Sequence, residues 1–278
     1  MKIMIIGANG QLGTDLAKVF KDEELILLTH QDIEITSLSK VMKVVKNYSP
    51  EVIINTAAYH NLSQCEENPE MAFEVNALGV RKLAKVCDAE SIELVHISTD
   101  YVFDGNKKVP YVESDCPNPL NTYGISKLAG EFFAKWVKNH YIVRVAGLFG
   151  TTGCRAKGGM NFVETMLKLT KTREEIEVTS NVFCSPTYTV DAAMKIKELI
   201  TGNFEPGIYH VTNRGECSWY EFAKEIFDQA GLSIKVLPKE EISTIRRPEY
   251  SVLASEKIQQ PRDWKEALGD YLKERKVV

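Results

Sequence analysis

Apolar residues in the first half of the chain follow two alternating rhythms. Short, nearly continuous runs at Lys2–Ile6, Leu25–Thr29, Val52–Thr56, Leu94–Ser98 and Tyr141–Val145 read as strands covered on both faces. Between them, Gln11–Phe20, Leu38–Asn47 and Ala72–Ala89 carry apolar side chains at helical spacing, as with Phe73, Val75, Leu78, Leu83, Ala84 and Val86, and a further helix lies within Pro119–Lys138. Strands alternating with helices predict βαβ units joined by right-handed crossovers. The fold class is therefore α/β, a Rossmann-type doubly wound parallel sheet that holds its ligand at the carboxyl ends of the strands.

The rhythm loosens after Gly150. Thr151–Gly159 reads as a polar loop, Asn161–Thr170 and Asp191–Thr201 as helices, and Gly207–Val211 as a strand. Ser218, with Glu221 three positions later, is a capping box that opens a helix running to Ala230. Arg246-Arg247-Pro248 sits in an extended segment ahead of a C-terminal helix. The expected division is a larger domain over 1–150, rejoined by 181–211, and a smaller interleaved C-terminal lobe from 151–180 and 212–278 that takes the substrate.

Composition narrows the class. A chain of 278 residues is long enough for one large α/β domain and a small lobe. A net charge of -4 gives no electrostatic footprint for nucleic acid, and no apolar run approaches the roughly 20 residues of a membrane span. The first strand starts at Lys2, so no signal peptide is expected ahead of it. Six scattered cysteines (Cys65, Cys87, Cys116, Cys154, Cys184 and Cys217) form no CxxC pair; they are expected to be reduced thiols of a cytoplasmic protein, with no metal site.

Candidate chemistry begins at Gly7-Ala8-Asn9-Gly10-Gln11-Leu12-Gly13, a glycine loop between the first strand and the first helix. The first glycine permits a tight turn, the second admits a pyrophosphate to the backbone, and the third lets helix and strand pack closely. The helix start then offers free N–H groups and a positive dipole end to phosphate, which points to a dinucleotide. The second strand runs into Thr29-His30-Gln31-Asp32, with neither an acid at its tip for a ribose nor an arginine for a 2′-phosphate, so the choice between NADPH and NADH stays open. Glu34 and Ile35 are candidates to bracket the adenine.

The second candidate group is Tyr123 and Lys127, four apart on one helix face, with Ser98-Thr99 at the end of the fourth strand. A free tyrosine titrates near pH 10, and a neighbouring ammonium favours its phenolate. Lys127 is placed to supply that ammonium and to hold a nicotinamide ribose. Thr99 would orient a substrate oxygen, and Tyr123 would give it a proton as hydride arrives at the carbon. Arg247, with Arg246, could grip a diphosphate by charge-assisted hydrogen bonds. Trp219 and Tyr220 are expected to pack within the second lobe.

Several stretches together carry a family resemblance: Gly10–Gly13, Asn55–Tyr59, Val75-Asn76-Ala77, Ser98–Gly105, Pro119–Gly124, Ser126–Glu131, Asn161-Phe162, Ser185-Pro186-Thr187, Gly207–His210, and Arg247-Pro248 ahead of Tyr250-Ser251. The chain resembles the extended short-chain dehydrogenase/reductases, and within them the branch that reduces dTDP-4-dehydrorhamnose. The resemblance implies an NADPH- or NADH-dependent enzyme, monomeric or homodimeric, that reduces the C4 ketone of a nucleotide-activated deoxysugar, most closely dTDP-4-dehydro-L-rhamnose to dTDP-L-rhamnose. It makes Thr99, Tyr123 and Lys127 the catalytic trio, and places Gly7, Asn9, Gly10, Gln11 and Leu12 at the pyrophosphate. Ala57, Ala58 and Tyr59 would line the adenosine side, Asn76 would support a water relay, and Leu62 and Asp100 would lie near the sugar. Three positions depart from the pattern: Leu62–Glu66 lacks the usual aspartate, Gly147 stands where the branch often has tryptophan, and Asp15 occupies a site that in some members joins a metal-bridged dimer. The alternatives are a nucleotide-sugar epimerase, or an NADP-binding regulatory subunit like that of methionine adenosyltransferase.

Overall fold

The computed structural model describes residues 1–153, 158–240 and 243–277. Cys154 and the middle of the expected loop at 151–159 lie outside the described residues. Six parallel strands form the main sheet: β1 (Lys2–Ile6), β2 (Glu24–Leu28), β3 (Val52–Asn55), β4 (Glu93–Thr99), β5 (His140–Val145) and β10 (Gly207–His210), in the order β10-β5-β4-β3-β1-β2. The order reverses between β1 and β3, since β2 lies on one side of β1 and all later strands on the other. That reversal opens a crevice at the carboxyl ends of β1 and β3.

The near-continuous apolar strands follow from cover on both faces. Ile3, Ile5, Ile54, Val95 and Val143 pack against α1 (Gln11–Val19) and α8 (Thr189–Thr201) through Leu12, Leu16, Ala192, Ala193 and Ile196. Met4, Ile6, Ile53, Leu94 and Ile142 point the other way, onto α2 (Leu38–Tyr48) and α5 (Val80–Glu90) through Val41, Val45, Val80, Leu83 and Ala84. Each such fully buried aliphatic side chain contributes about 1.5–3 kcal/mol.

The helix expected over Ala72–Ala89 is interrupted. After α3 (Leu62–Glu67), the short α4 (Pro69–Phe73) runs into a π-helical turn, Glu74–Gly79, before α5 continues. The wide turn carries Asn76, whose Oδ1 accepts from Tyr59 N at 2.8 Å and whose Nδ2 donates to Tyr59 O at 2.8 Å and to Ser126 Oγ at 3.0 Å. A π turn inside a helix often marks such a site.

A second cluster gathers Phe149, Val163, Phe222, Phe227, Trp264, Leu268 and Tyr271. It rests on α7 (Phe162–Leu169), α9 (Trp219–Gln229) and α10 (Trp264–Glu274), with a parallel pair of β7 (Glu175–Thr179) and β12 (Lys235–Lys239) beside them. Two-residue strands β6 (Leu148–Phe149) and β9 (Thr187–Tyr188) pair with each other, as do β8 (Phe183–Cys184) and β11 (Cys217–Ser218). The capping box at Ser218 and Glu221 is present, and Trp219 packs its ring 4.7 Å from that of Phe162. Among the described residues no helix is long and apolar enough to cross a membrane.

Candidate active site

The glycine loop turns at the carboxyl end of β1. Gly7 has φ +82°, and a Cβ there would stand 2.5 Å from Thr56 Oγ1; at Gly13 it would stand 2.3 Å from Gly7 O. A side chain at Gly7 would strike the segment after β3, and one at Gly13 would push α1 away from the loop. Gly10 caps α1 without a side chain, so the first N–H groups of that helix open toward the crevice. Gln11 anchors the turn by donating Nε2 to Leu148 O at 3.0 Å, which leaves its buried Oε1 without a partner. Across the crevice, Ala57, Ala58 and Tyr59 follow β3, their backbone held by Asn55 Oδ1 on Ala57 N at 3.2 Å and by Asn76 on Tyr59. Bare helix N–H groups, a loop with no room for side chains and a small-residue wall opposite together fit a dinucleotide.

The remaining adenosine candidates sit differently. Ile35 turns into the core, where a Cβ on Gly79 would lie 2.9 Å from its Cγ1. Glu34 accepts from Thr36 N at 3.2 Å and from Thr36 Oγ1 at 2.9 Å. Asp32 closes the turn after β2 by accepting from Thr29 N and Oγ1 at 2.8 and 2.7 Å, and those bonds hold its carboxyl below the usual range.

Thr99 ends β4 and caps a single 3₁₀ turn, Asp100–Val102. Its hydroxyl donates to Asp100 Oδ1 at 2.9 Å and accepts from Tyr101 N at 3.2 Å. Asp100 also accepts from Ser251 Oγ at 2.6 Å, which ties the segment after Arg247-Pro248 to the end of β4 behind Thr99; burial pushes its carboxyl up to about 6. Tyr123 and Lys127 lie on α6 (Thr122–Ala134). The ring of Tyr123 meets Tyr101 edge-on at 5.8 Å, which sets the phenol close to Thr99.

Burial raises the Tyr123 pKa, and Asp100 and Cys65 add to the rise. Lys127 donates to Ile97 O at 2.6 Å and meets His96 Nε2 at 3.4 Å. Burial brings its ammonium down to about 8, against the pull of Glu131. A phenol kept protonated through neutral pH suits a proton donor.

The start of α6 is fixed by two residues that the sequence reading passes over. Asn121 Oδ1 accepts from Gly124 N at 2.9 Å, and Glu66 of α3 accepts from Thr122 N at 2.8 Å and Thr122 Oγ1 at 2.9 Å. Glu66 thus satisfies an otherwise orphaned donor beside Tyr123, from a helix that begins at Leu62. A Ser/Thr-x-x-Glu signature cannot reveal a cap supplied from 56 residues away. Glu66→Ala is expected to lower stability by about 1 kcal/mol and kcat more than KM; urea unfolding with steady-state kinetics measures both, and an unchanged midpoint would remove the capping role.

Asn121 Nδ2 donates to Arg246 O at 2.9 Å, which brings the Arg246-Arg247-Pro248 segment to the mouth of the site; Arg247 is half-buried there and Arg246 exposed. Gly147, where an aromatic was expected, adopts φ +51°. A Cβ would stand 3.1 Å from Ser185 O and 3.5 Å from Cys184 Sγ, so a side chain here would be both strained and tightly placed. Asp15 is wholly buried and accepts from Thr189 Oγ1 at 2.5 Å and Lys18 Nζ at 2.8 Å. Among the described residues no group of three or more His, Cys, Asp or Glu side chains is placed to hold a metal, and Cys65, Cys87, Cys116, Cys184 and Cys217 are free thiols.

Comparison with known proteins places this site in a family. Residues 1–277 match the family model described as RmlD substrate binding domain. Spore coat polysaccharide biosynthesis protein SpsK of Bacillus subtilis (strain 168) is 39% identical, over 99% of this chain and 98% of that one. The dTDP-4-keto-6-deoxy-D-glucose reductase of Streptomyces niveus is 36% identical over 95% of this chain and 90% of its own. The crystal structure of dTDP-4-dehydrorhamnose reductase from Bacillus anthracis str. Ames in complex with NADP superposes with a TM-score of 0.92 at 38% identity, covering 99% of each chain. With the glycine loop at the sheet's switch point and Thr99, Tyr123 and Lys127 beside it, this chain belongs to the RmlD family of NAD(P)H-dependent dTDP-sugar reductases.

Proposed function

We propose that the protein reduces the C4 ketone of dTDP-4-dehydro-L-rhamnose to dTDP-L-rhamnose, with NADPH or NADH as reductant. The observation that carries this reading is Tyr123 at the start of α6, its ring edge-on at 5.8 Å to Tyr101 next to Thr99 at the carboxyl end of β4, together with a loop that fits a dinucleotide. Gly7, Asn9, Gly10, Gln11 and Leu12 would hold the pyrophosphate, Ala57, Ala58 and Tyr59 the adenosine side, and Lys127 the nicotinamide ribose. The bound dihydronicotinamide supplies a hydride. Thr99 orients the ketone oxygen, and Tyr123 gives its phenolic proton to that oxygen as negative charge develops there. Arg247 meets the substrate diphosphate and Leu62 the sugar side; Asp100, placed near the sugar by the resemblance, instead backs Thr99, since its two oxygens are taken by Thr99 and Ser251.

A second substrate has its own support. The left-handed backbone at Gly147 leaves one wall of the sugar pocket without the aromatic face often present in the branch, and the Streptomyces niveus relative is a reductase of dTDP-4-keto-6-deoxy-D-glucose. The test offers dTDP-4-dehydro-L-rhamnose and dTDP-4-keto-6-deoxy-D-glucose separately, with NADPH and with NADH, and follows absorbance decay and product identity. Stoichiometric oxidation with dTDP-L-rhamnose formed is expected. Turnover of only the second sugar would reassign the substrate; no turnover of either, with NADPH bound, would overturn the reductase reading.

A further inference from the structure

Beside Lys127 lies a buried group that the catalytic reading does not use. His96 on β4 and Asn55 at the end of β3 are wholly buried, and Lys127 is 2% exposed. Asn55 Nδ2 meets His96 Nδ1 at 3.3 Å, and His96 Nε2 meets Lys127 Nζ at 3.4 Å. We propose that Asn55 and His96 are positioning residues for Lys127: the amide fixes the imidazole with its proton on Nε2, and that N–H faces the lysine nitrogen, so that the neutral amine of Lys127, which accepts the N–H, is favoured over its ammonium. This rests on the reading of Lys127 as part of the catalytic group.

Hydrogen-bond valence determines the tautomer. A backbone N–H can meet only the oxygen of an amide, so the contact of Ala57 N with Asn55 Oδ1 at 3.2 Å leaves Nδ2 as the atom facing the histidine. Nδ2 only donates, so His96 Nδ1 must offer its lone pair, and the proton of the neutral ring sits on Nε2. Burial keeps His96 neutral by holding its pKa well below the usual value. An ammonium at Lys127 would set N–H against N–H. An amine accepts the imidazole N–H and still donates to Ile97 O at 2.6 Å.

The approach is close because of Gly130, where a Cβ would stand 2.2 Å from Asn76 O and 3.4 Å from His96 Nε2. The charged and titratable groups around Lys127 are few. On α6 these are Tyr123 and Glu131, and Glu131 is paired at 2.7 Å with Arg144 of β5. At the end of β4, Asp100 is held by Thr99 and Ser251, while β3 and the π turn contribute the uncharged Asn55 and Asn76.

Two measurements test the proposal. In protein labelled with ¹⁵N-histidine, two-bond proton–nitrogen spectra are expected to show one ring, absent from His96→Gln, in the Nε2–H form and without titration over roughly pH 5.5–9. An Nδ1–H tautomer, or an imidazolium at the acid end, would overturn the proposal. Glutamine can turn an oxygen acceptor toward an ammonium, so His96→Gln is expected to move the alkaline limb of the kcat/KM profile up by about one pH unit, a tenfold change in the proton equilibrium. A purely structural role would lower the rate equally at every pH, and a limb left in place would overturn the proposal. NADPH affinity followed over the same range reads the lysine without any sugar substrate and is expected to show the same displacement. Failure of the substrate assignment would therefore leave this test standing, and a limb unmoved in the affinity profile of a folded variant would overturn the proposal independently.

Discussion

Tyr123→Phe is expected to lower kcat by about 10²–10⁴-fold while NADPH affinity stays within a few-fold. The substitution removes one oxygen and keeps the ring, so the edge contact with Tyr101 at 5.8 Å persists and the α6 cap at Asn121 and Glu66 is untouched. What disappears is the proton proposed for the ketone oxygen. Because burial raises the pKa of the phenol, the group is a poor base at neutral pH and a well-protonated acid, so reduction should suffer no acid-side penalty from Tyr123 itself. Stopped-flow single turnover with saturating NADPH separates the chemical step from binding and release. A variant that keeps most of its single-turnover rate would show that the proton comes from elsewhere, and the role of Tyr123 as donor would be lost.

The parts of this site that were legible in the sequence were those whose partners are local or whose pattern is forced by the sheet. Continuous apolar runs such as Lys2–Ile6 can only be covered on both faces, and glycines at 7 and 13 are required by contacts that a Cβ would violate. Tyr123 and Lys127 share a helix face at any crossing angle. The supporting shell was hidden because it is long-range. Phe73, Val75 and Leu78 keep a helix-like spacing whether or not a turn is widened, and the π turn is explained only by the bonds from Asn76 to Tyr59 and Ser126. His96, inside an apolar strand, reads as core until Asn55 and Lys127 are seen on its two nitrogens. Ile35 was placed by sequence near an adenine, yet its apolar side chain is taken by the core against Gly79. In the second lobe, Glu175–Thr179 alternates cleanly as a strand, but its partner carries Pro238, which disguised it. A two-stranded edge tolerates the missing N–H that a central strand would not.

The largest stability effect is expected from Glu131→Ala, which should destabilise the fold by about 3–5 kcal/mol. Glu131 and Arg144 are each 1% exposed and meet through two bonds, Nε to Oε1 at 2.9 Å and Nη2 to Oε2 at 2.7 Å. Ser98 Oγ donates to the same carboxylate at 2.5 Å, so one side chain ties α6, β4 and β5 together one residue before Thr99. Removing the carboxylate strands a guanidinium in the interior. Its remaining partners are the ring of Phe103 at 5.1 Å and His210 Nε2 at 3.3 Å, and His210 is already kept neutral by burial. Neither replaces a paired anion, since a cation over a ring contributes about 0.5–2 kcal/mol. Glu131→Met combined with Arg144→Met should recover much of the loss, because a buried pair replaced on both sides gives up its desolvation cost along with its attraction. Urea unfolding of the single and double variants measures both quantities. A single variant within about 1 kcal/mol of the parent would mean that water reaches Arg144 in the unpaired state, and that the pair fixes the position of α6 without stabilising the fold.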